Sequence, residues 1–447
     1  MGKTKGTFWI LLFILLGLAL YQIVVIFWEA PSKQETGRWY SMAQPDLEAN
    51  LLRPREIYFT LGGEDGSFGK ISKQDEAFEE VFQNAYDLFG YVLESSELQA
   101  VTWEELPWNR EICVLSYALT LESDLVQQQL ELERTIIEGK WSEIWVIPAQ
   151  SREESSMVYL LDKEEQICLK AESKTWDQTQ NHVLLEFLQQ QAAKGTRDYF
   201  AVEKAWPELA GAYLPEDAVR EEAYTVQAAV NVLMGDRLNL VQAKQYALQF
   251  FQYTDTVKMK EGNNQLLCTN EKITVKIDNT GVIHYVETLT EEEKTPITMK
   301  EAFQLAEGFV KADLQWETAY GLDVIFSGYE IREDQYIFYF NYLFGDIPFQ
   351  MNMADTDKAE LGMAFPIRVT VEGSRVRHYE RYVLSATIDA NSRYTLVQNW
   401  KDIMNETAEL GKKIIGVPEL KYNYENGRMV LYWEIETDQG NLRYKAH

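Results

Sequence analysis

The sequence predicts an α+β protein: one N-terminal transmembrane helix, then an extracytoplasmic part of antiparallel sheets with helices packed on one face. Three observations predict it. An uncharged apolar run fills residues 8–28, short strand-like runs alternate with turn residues through most of the rest, and a helix–hairpin unit occurs twice in the C-terminal half.

The apolar run, FWILLFILLGLALYQIVVIFW, has 21 residues from Phe8 to Trp28 and no charge. At 1.5 Å per residue a helix of this length spans about 31 Å, the thickness of a bilayer's hydrocarbon core. A helix is required there because lipid offers no partner to backbone N–H and C=O groups. Phe8 and Trp9 at one end, and Phe27 and Trp28 at the other, suit the two membrane interfaces. Gln22, the strongest polar group in the run, suits either the outer interface or a contact with a second helix. Lys3 and Lys5 precede the run and Glu29 follows it, so residues 1–7 are expected in the cytoplasm and everything after Trp28 outside. A cleaved leader is the rival reading, with small residues at Ala30 and Ser32. The apolar run is longer than the roughly 7–15 residues of such a leader, which favours an uncleaved, single-pass anchor in the cell membrane.

Composition narrows the partners. Of 447 residues, 70 are acidic and 42 basic, a formal charge of −28. Leaving out residues 1–30 removes Lys3, Lys5 and Glu29, so the outer part has 69 acids, 40 bases and a charge of −29. Phosphate backbones are repelled by such a surface, so nucleic acid is excluded as a partner. Cys113, Cys168 and Cys268 are odd in number, widely spaced and set in apolar runs, and read as buried thiols.

Residues 29–54, with three prolines and little periodicity, read as a linker. Residues 55–225 read as an N-terminal α+β domain: a strand at 57–61, an amphipathic helix from Asp75 to Leu93, strands at 111–117, 143–148, 157–162 and 166–170, and a helix from Asn181 to Ala193. Residues 226–295 read as a middle helix-plus-strands domain, and 296–447 as a C-terminal α+β domain.

The repeat lies in these last two. TVKIDNTGVIHYVE (274–287) and RVTVEGSRVRHYER (368–381) align at an offset of 94, Val275 with Val369, Ile277 with Val371 and His284-Tyr285 with His378-Tyr379. Each reads as two strands joined by a tight turn, at Asn279–Gly281 and at Gly373-Ser374. A helix precedes each, over 241–251 and over 299–310. The second unit shows an additional segment, 324–350, that reads as two more strands. A last helix near Asp402–Ile414 and three strands close the chain.

Signals for chemistry are missing. The four histidines, His182, His284, His378 and His447, form neither HExxH nor a Cys/His cluster, so no metal site is expected. His284 and His378, at equivalent repeat positions, read as polar tips on a sheet surface. Ser67-Phe68-Gly69-Lys70 fits the S-x-x-K of penicillin-binding enzymes but lies in a Gly-rich stretch read as a loop. Carboxylate pairs such as Glu104-Glu105 and Glu292-Glu293 read as solvated surface. No residue is assigned a catalytic, cofactor-binding or metal-binding role, and the chain is expected not to be an enzyme. The residues singled out are the membrane anchors Phe8, Trp9, Phe27 and Trp28, and Gln22 as a helix–helix contact.

Three motifs carry a resemblance: YIFYFNYLFGDIPF (336–349) with Gly345 and Pro348 in its turn, FPIRVTVEGSRVRHYER (365–381) with a Tyr-x-Arg strand, and LKYNYENGRMVLYWEIETDQG (420–440) with Trp433. Together with the layout of short cytoplasmic start, single anchor and large outer part, they resemble the YycH/YycI family of regulatory proteins. The likeness is greatest over 299–447, the region that resembles YycI. The resemblance implies a regulator that binds the sensor histidine kinase WalK (YycG) and a sibling YycI-like protein through transmembrane-helix and outer-domain contacts, tuning a two-component system and cell-wall metabolism. It implies no cofactor. Helix-plus-hairpin units also resemble PepSY modules, so a peptide-binding or protease-inhibiting role is an alternative, and a cell-wall hydrolase using Ser67 or carboxylates is a second.

Overall fold

Alternating burial along the strands organises the computed structural model, which describes residues 54–446 apart from 63–66, 73–74, 123–138, 163–164, 166, 174–177, 195–198, 202–212, 216–225, 232, 236, 315–322, 345–346, 351–364, 389–396 and 426–427. The expected transmembrane helix, with Phe8, Trp9, Gln22, Phe27 and Trp28, lies outside the described residues. Among those described, no helix is long and apolar enough to cross a membrane.

The N-terminal strands are β1 (Glu56–Leu61), β2 (Ser67–Ile71), β3 (Gln99–Val101), β4 (Glu111–Glu122), β5 (Lys140–Ile147), β6 (Ser156–Asp162), β7 (Ile167–Ser173), β8 (Tyr199–Ala201) and β9 (Tyr213–Pro215). They form one antiparallel sheet in the order β3-β7-β6-β5-β4-β1-β2-β8-β9. Helices α1 (Phe78–Ser95) and α2 (Gln178–Ala193) pack on one face. In α1 the positions Phe78, Val81, Phe82, Ala85, Leu88, Phe89 and Val92 recur at three- and four-residue steps and are all buried. The opposite face is aromatic: Tyr58 stacks on Tyr213 at 4.2 Å, and Trp108 meets Trp145 edge-on at 4.7 Å. Cys113 belongs to the helix-side core and Cys168 to the aromatic side. Burial pushes both thiols up to about 12, and Cys268 to about 11. All three are free and buried.

The C-terminal half holds β10 (Val226–Asn231), α3 (Leu240–Leu248), β11 (Lys258–Gly262), β12 (Gln265–Thr269), β13 (Ile273–Ile277), β14 (Val282–Glu287), α4 (Met299–Leu314), β15 (Asp323–Arg332), β16 (Gln335–Phe344), β17 (Ile347–Gln350), β18 (Ile367–Glu372), β19 (Arg375–Tyr382) and β20 (Leu384–Ile388). The chain closes with α5 (Trp400–Glu409), β21 (Glu419–Glu425), β22 (Arg428–Thr437) and β23 (Gly440–Lys445). Twelve of these strands share one sheet, ordered β11-β12-β13-β14-β19-β18-β16-β17-β21-β22-β23 with β15 also on β16. Strands β10 and β20 pair separately.

The repeat is larger than the sequence suggested. Segment 324–350 has a counterpart in the first unit, the β11–β12 hairpin, whose turn residues Asn263 and Asn264 both have positive φ (52° and 57°). Each unit is thus a helix followed by four antiparallel strands that neighbour one another in the sheet: α3 with β11, β12, β13 and β14, and α4 with β15, β16, β18 and β19, the chain passing through β17 between β16 and β18. The two join where β14 pairs with β19, and there Tyr285 stands opposite Tyr379, its own repeat-mate. A local two-fold axis therefore passes through the sheet between these tyrosines.

Each unit also clamps its own hairpin turn with the segment that leads into its helix. The Asn231 amide donates to the Gly281 carbonyl at 3.2 Å, and the Ser374 N–H donates to the Glu293 carbonyl at 3.0 Å. Gly281 (φ 80°) and Gly373 (φ 56°) supply the left-handed backbone both turns need. Farther along, β17 runs parallel to β21 and carries the sheet into the closing strands. Trp400 on α5 donates its indole N–H to the Pro215 carbonyl of β9 at 2.8 Å, tying the two halves together.

Candidate functional site

Three places gather polar or charged side chains: the Ser67–Lys70 motif, the charged cluster at the two-fold axis, and the sheet face that no helix covers.

Ser67 to Lys70 form strand β2 instead of the expected loop, because Phe68 and Ile71 bury into the cores on either side of the sheet. In a strand, side chains three apart point to opposite faces, so Ser67 and Lys70 cannot act as nucleophile and activator. Lys70 is occupied besides: its Nζ lies 3.0 Å from Glu56, which also accepts a 2.5 Å bond from the Tyr58 hydroxyl. Burial acts to raise the Glu56 carboxyl. The Lys70 and Arg55 charges and the Tyr58 bond outweigh it and hold the group at about 2.

On the two-fold axis, Asp313 from the C-terminal turn of α4 meets Arg381 of β19, with no exposure of either side chain. The Arg381 guanidinium donates to Asp313 at 2.5 Å, to the Tyr246 hydroxyl of α3 at 3.1 Å and to the Tyr342 hydroxyl of β16 at 3.0 Å. Tyr246 and Tyr379 donate their hydroxyls to the two oxygens of Asp313. Tyr342 in turn donates to the Tyr382 carbonyl at 2.8 Å. Burial, and then the Asp313 charge, push the Tyr379 hydroxyl well above its ordinary value, so it stays a donor. Both helices and both units contribute to this cluster. Out of reach of solvent, it cannot meet a substrate. Its role is to lock α3, α4 and the sheet into one arrangement, as a satisfied buried charge pair does. The Tyr-x-Arg motif marked two of its members in the sequence. Asp313, Tyr246 and Tyr342 carried no signal, being 66, 133 and 37 positions from Tyr379.

The helices cover one face of the large sheet and leave the other open. On that open face His284, the third residue of β14, donates to Asp278 at 3.0 Å and to Glu380 of β19 at 3.3 Å. These two bonds raise the imidazole to about 9 against the opposing effect of burial, so it is charged at neutral pH. Burial raises Asp278, but the bonds from His284, Thr280 and Val282 outweigh it and bring the carboxyl down to about 2. Glu380 also holds Arg368 at 2.6 Å. Among the described residues His378, the repeat-mate, has no such partners. Burial lowers it, with Arg377 adding to the shift. Both histidines thus sit on the sheet surface as their strand positions implied. Among the described residues no group of three His, Cys, Asp or Glu side chains is placed to hold a metal ion.

What these features define is an α+β class in which helix-backed antiparallel units join into long sheets, with a buried charge pair at the joint and no convergent reactive groups among the described residues. A solved structure with a similar fold is that of YycH from Bacillus subtilis, which superposes with a TM-score of 0.53 at 12% sequence identity, covering 88% of this chain and 95% of that one. The chain therefore has a YycH-like fold, and the resemblance read from the C-terminal motifs holds at the level of the fold. No family model matches the chain, and no curated protein does.

Proposed function

We propose that the chain is a membrane-anchored extracytoplasmic regulator of a two-component sensor histidine kinase of the WalK (YycG) type, acting without catalysis and without a cofactor. One observation carries the reading: the YycH-like fold extends over 88% of this chain and 95% of YycH, so the likeness includes the whole arrangement and not one common module. The sequence of Phe8–Trp28 supports the anchor, with Phe8, Trp9, Phe27 and Trp28 at the interfaces and Gln22 facing a partner helix. In this reading the anchor and the outer body each touch the kinase or a sibling YycI-like regulator. They shift the kinase between signalling states, and with it cell-wall metabolism, because they bind one state better. The position of Lys70 against Glu56 argues against the hydrolase alternative.

Co-purification of the full chain with the kinase from membranes tests the proposal. Exchanging Phe8–Trp28 for an unrelated apolar helix is expected to lower kinase recovery, and so is deleting residues 55–447. Full recovery in both variants would refute the two-contact mechanism. Wall-polymer hydrolysis by the purified chain, abolished by Ser67→Ala, would replace it with an enzyme.

A further inference from the structure

We infer that the open face of β11, β12, β13 and β14 is a docking surface for an acidic amphipathic polypeptide segment of another protein. The pairing registers place Lys260, Leu267, Lys276 and His284 in one row directly across these strands, and Lys258, Thr269, Thr274 and Val286 in the next. Lys258, Lys260 and Lys276 are exposed, and among the described residues none of them has a hydrogen-bond or ion-pair partner. That is unusual in a chain of net charge −28, and the second unit shows the contrast. There the cations of the same face are matched: Arg368 to Glu380 at 2.6 Å, Arg332 to Glu330 at 2.5 Å, and Arg377 to Glu372.

Lysines on an edge strand commonly guard it against pairing with other chains, which would account for Lys258 and Lys260 on the terminal strand β11. Lys276 lies two strands in, where no edge needs guarding. The three ammonium groups flank a partly apolar floor, with Leu267 half-buried and Val286 36% exposed. Charge complementarity selects an anionic occupant, and the apolar floor selects a polypeptide over a bare phosphate chain, which has nothing to cover Leu267 and Val286. Alternate strands lie about 9.5 Å apart, which matches carboxylates roughly six or seven residues apart on a helix laid across the strands.

The test is fluorescence anisotropy of the full chain with a labelled glutamate- and leucine-containing amphipathic peptide of about 16 residues. Saturable binding that weakens with added salt is expected. It should weaken at least tenfold further in the Lys258→Ala/Lys260→Ala/Lys276→Ala variant, and stay unchanged in Lys140→Ala/Lys194→Ala/Lys413→Ala, which has the same loss of charge elsewhere. Thermal unfolding of both variants at the wild-type midpoint shows that folding is intact. Equal losses in the two variants, or no saturable binding, would overturn the proposal. Inorganic polyphosphate binding as tightly as the peptide would overturn the polypeptide assignment. Self-association in sedimentation that the first variant abolishes would make a second copy the occupant in place of another protein.

Discussion

The two helix–hairpin units share a plan and divide the labour of their sheet differently. In the second unit the uncovered face is satisfied from within: Arg368, Arg332 and Arg377 each close on a carboxylate. In the first unit the corresponding face leaves Lys258, Lys260 and Lys276 toward solvent. Under the helices the two units share one cluster instead, where Tyr246 from α3 and Asp313 from α4 both meet Arg381. Packing against the shared core constrains what lies under the helices, while the open faces are free to differ, and that is where a specific partner surface can arise without disturbing the fold.

The largest expected effect falls on the axis, where the two units are not separable. Asp313→Ala leaves the Arg381 charge buried and unmatched and should cost about 3–5 kcal/mol in urea unfolding. The Asp313→Leu/Arg381→Met double variant should recover most of that loss. If the single variant costs under about 1 kcal/mol, the cluster is not what joins the units.

The turns offer a second contrast. A methyl group on Gly373 would meet the Glu293 carbonyl oxygen at 2.0 Å and the Lys294 Cα at 2.6 Å, both backbone. On Gly281 it would meet the Asn231 Nδ2 at 2.6 Å and the Met234 Cγ at 2.7 Å, side-chain atoms that can move aside. Gly373→Ala should therefore cost about 3 kcal/mol or more, and Gly281→Ala about 1–2 kcal/mol, by the same unfolding measurement. Equal costs would mean that the two clamps are alike.

The histidine pair separates the units by pH. His284 is raised to about 9 in the fold from an ordinary 6.5, so its contribution is complete below pH 6.5 and is lost as pH rises to 9. With solvent screening discounted, this amounts to about 1–2 kcal/mol, and His284→Gln should flatten that limb of the stability profile. His378 is lowered, so charging it opposes folding and its effect appears on acidification below pH 6.5. His378→Gln should leave the alkaline limb intact. The smallest effect belongs to the exposed lysines: the Lys258→Ala/Lys260→Ala/Lys276→Ala variant should stay within about 0.5 kcal/mol of wild type in stability.

What could be read from the sequence follows the apolar patterns. The paired hairpins were visible because Val275, Ile277, Val369 and Val371 alternate with polar residues at an exact offset. Strand β11 was missed because every one of its residues is exposed and KMKEG has no alternation to detect. Strands β8 and β9, with three residues each, are too short for a periodic signal. Helix ends went astray for local reasons. Phe250 and Phe251 prolong the apolar pattern of α3 although the helix closes at Leu248 and they bury from the following turn. Likewise Gly411, with φ 71°, ends α5 before the expected Ile414. The buried Asp313 was illegible because a carboxylate in the last turn of a helix reads as surface until its partner 68 positions away is known.

The pairing of β14 with β19 sets a condition on biosynthesis. Strand β14 is complete when residue 287 leaves the ribosome, yet its outer edge waits for Arg375–Tyr382. At ordinary rates of translation that delay is roughly 5–20 s, during which an unpaired strand with a hydrophobic underside is available to other nascent chains. The chain must therefore be kept from closing on the wrong neighbour during that interval, so its yield should depend on chaperone capacity more than its final stability would suggest.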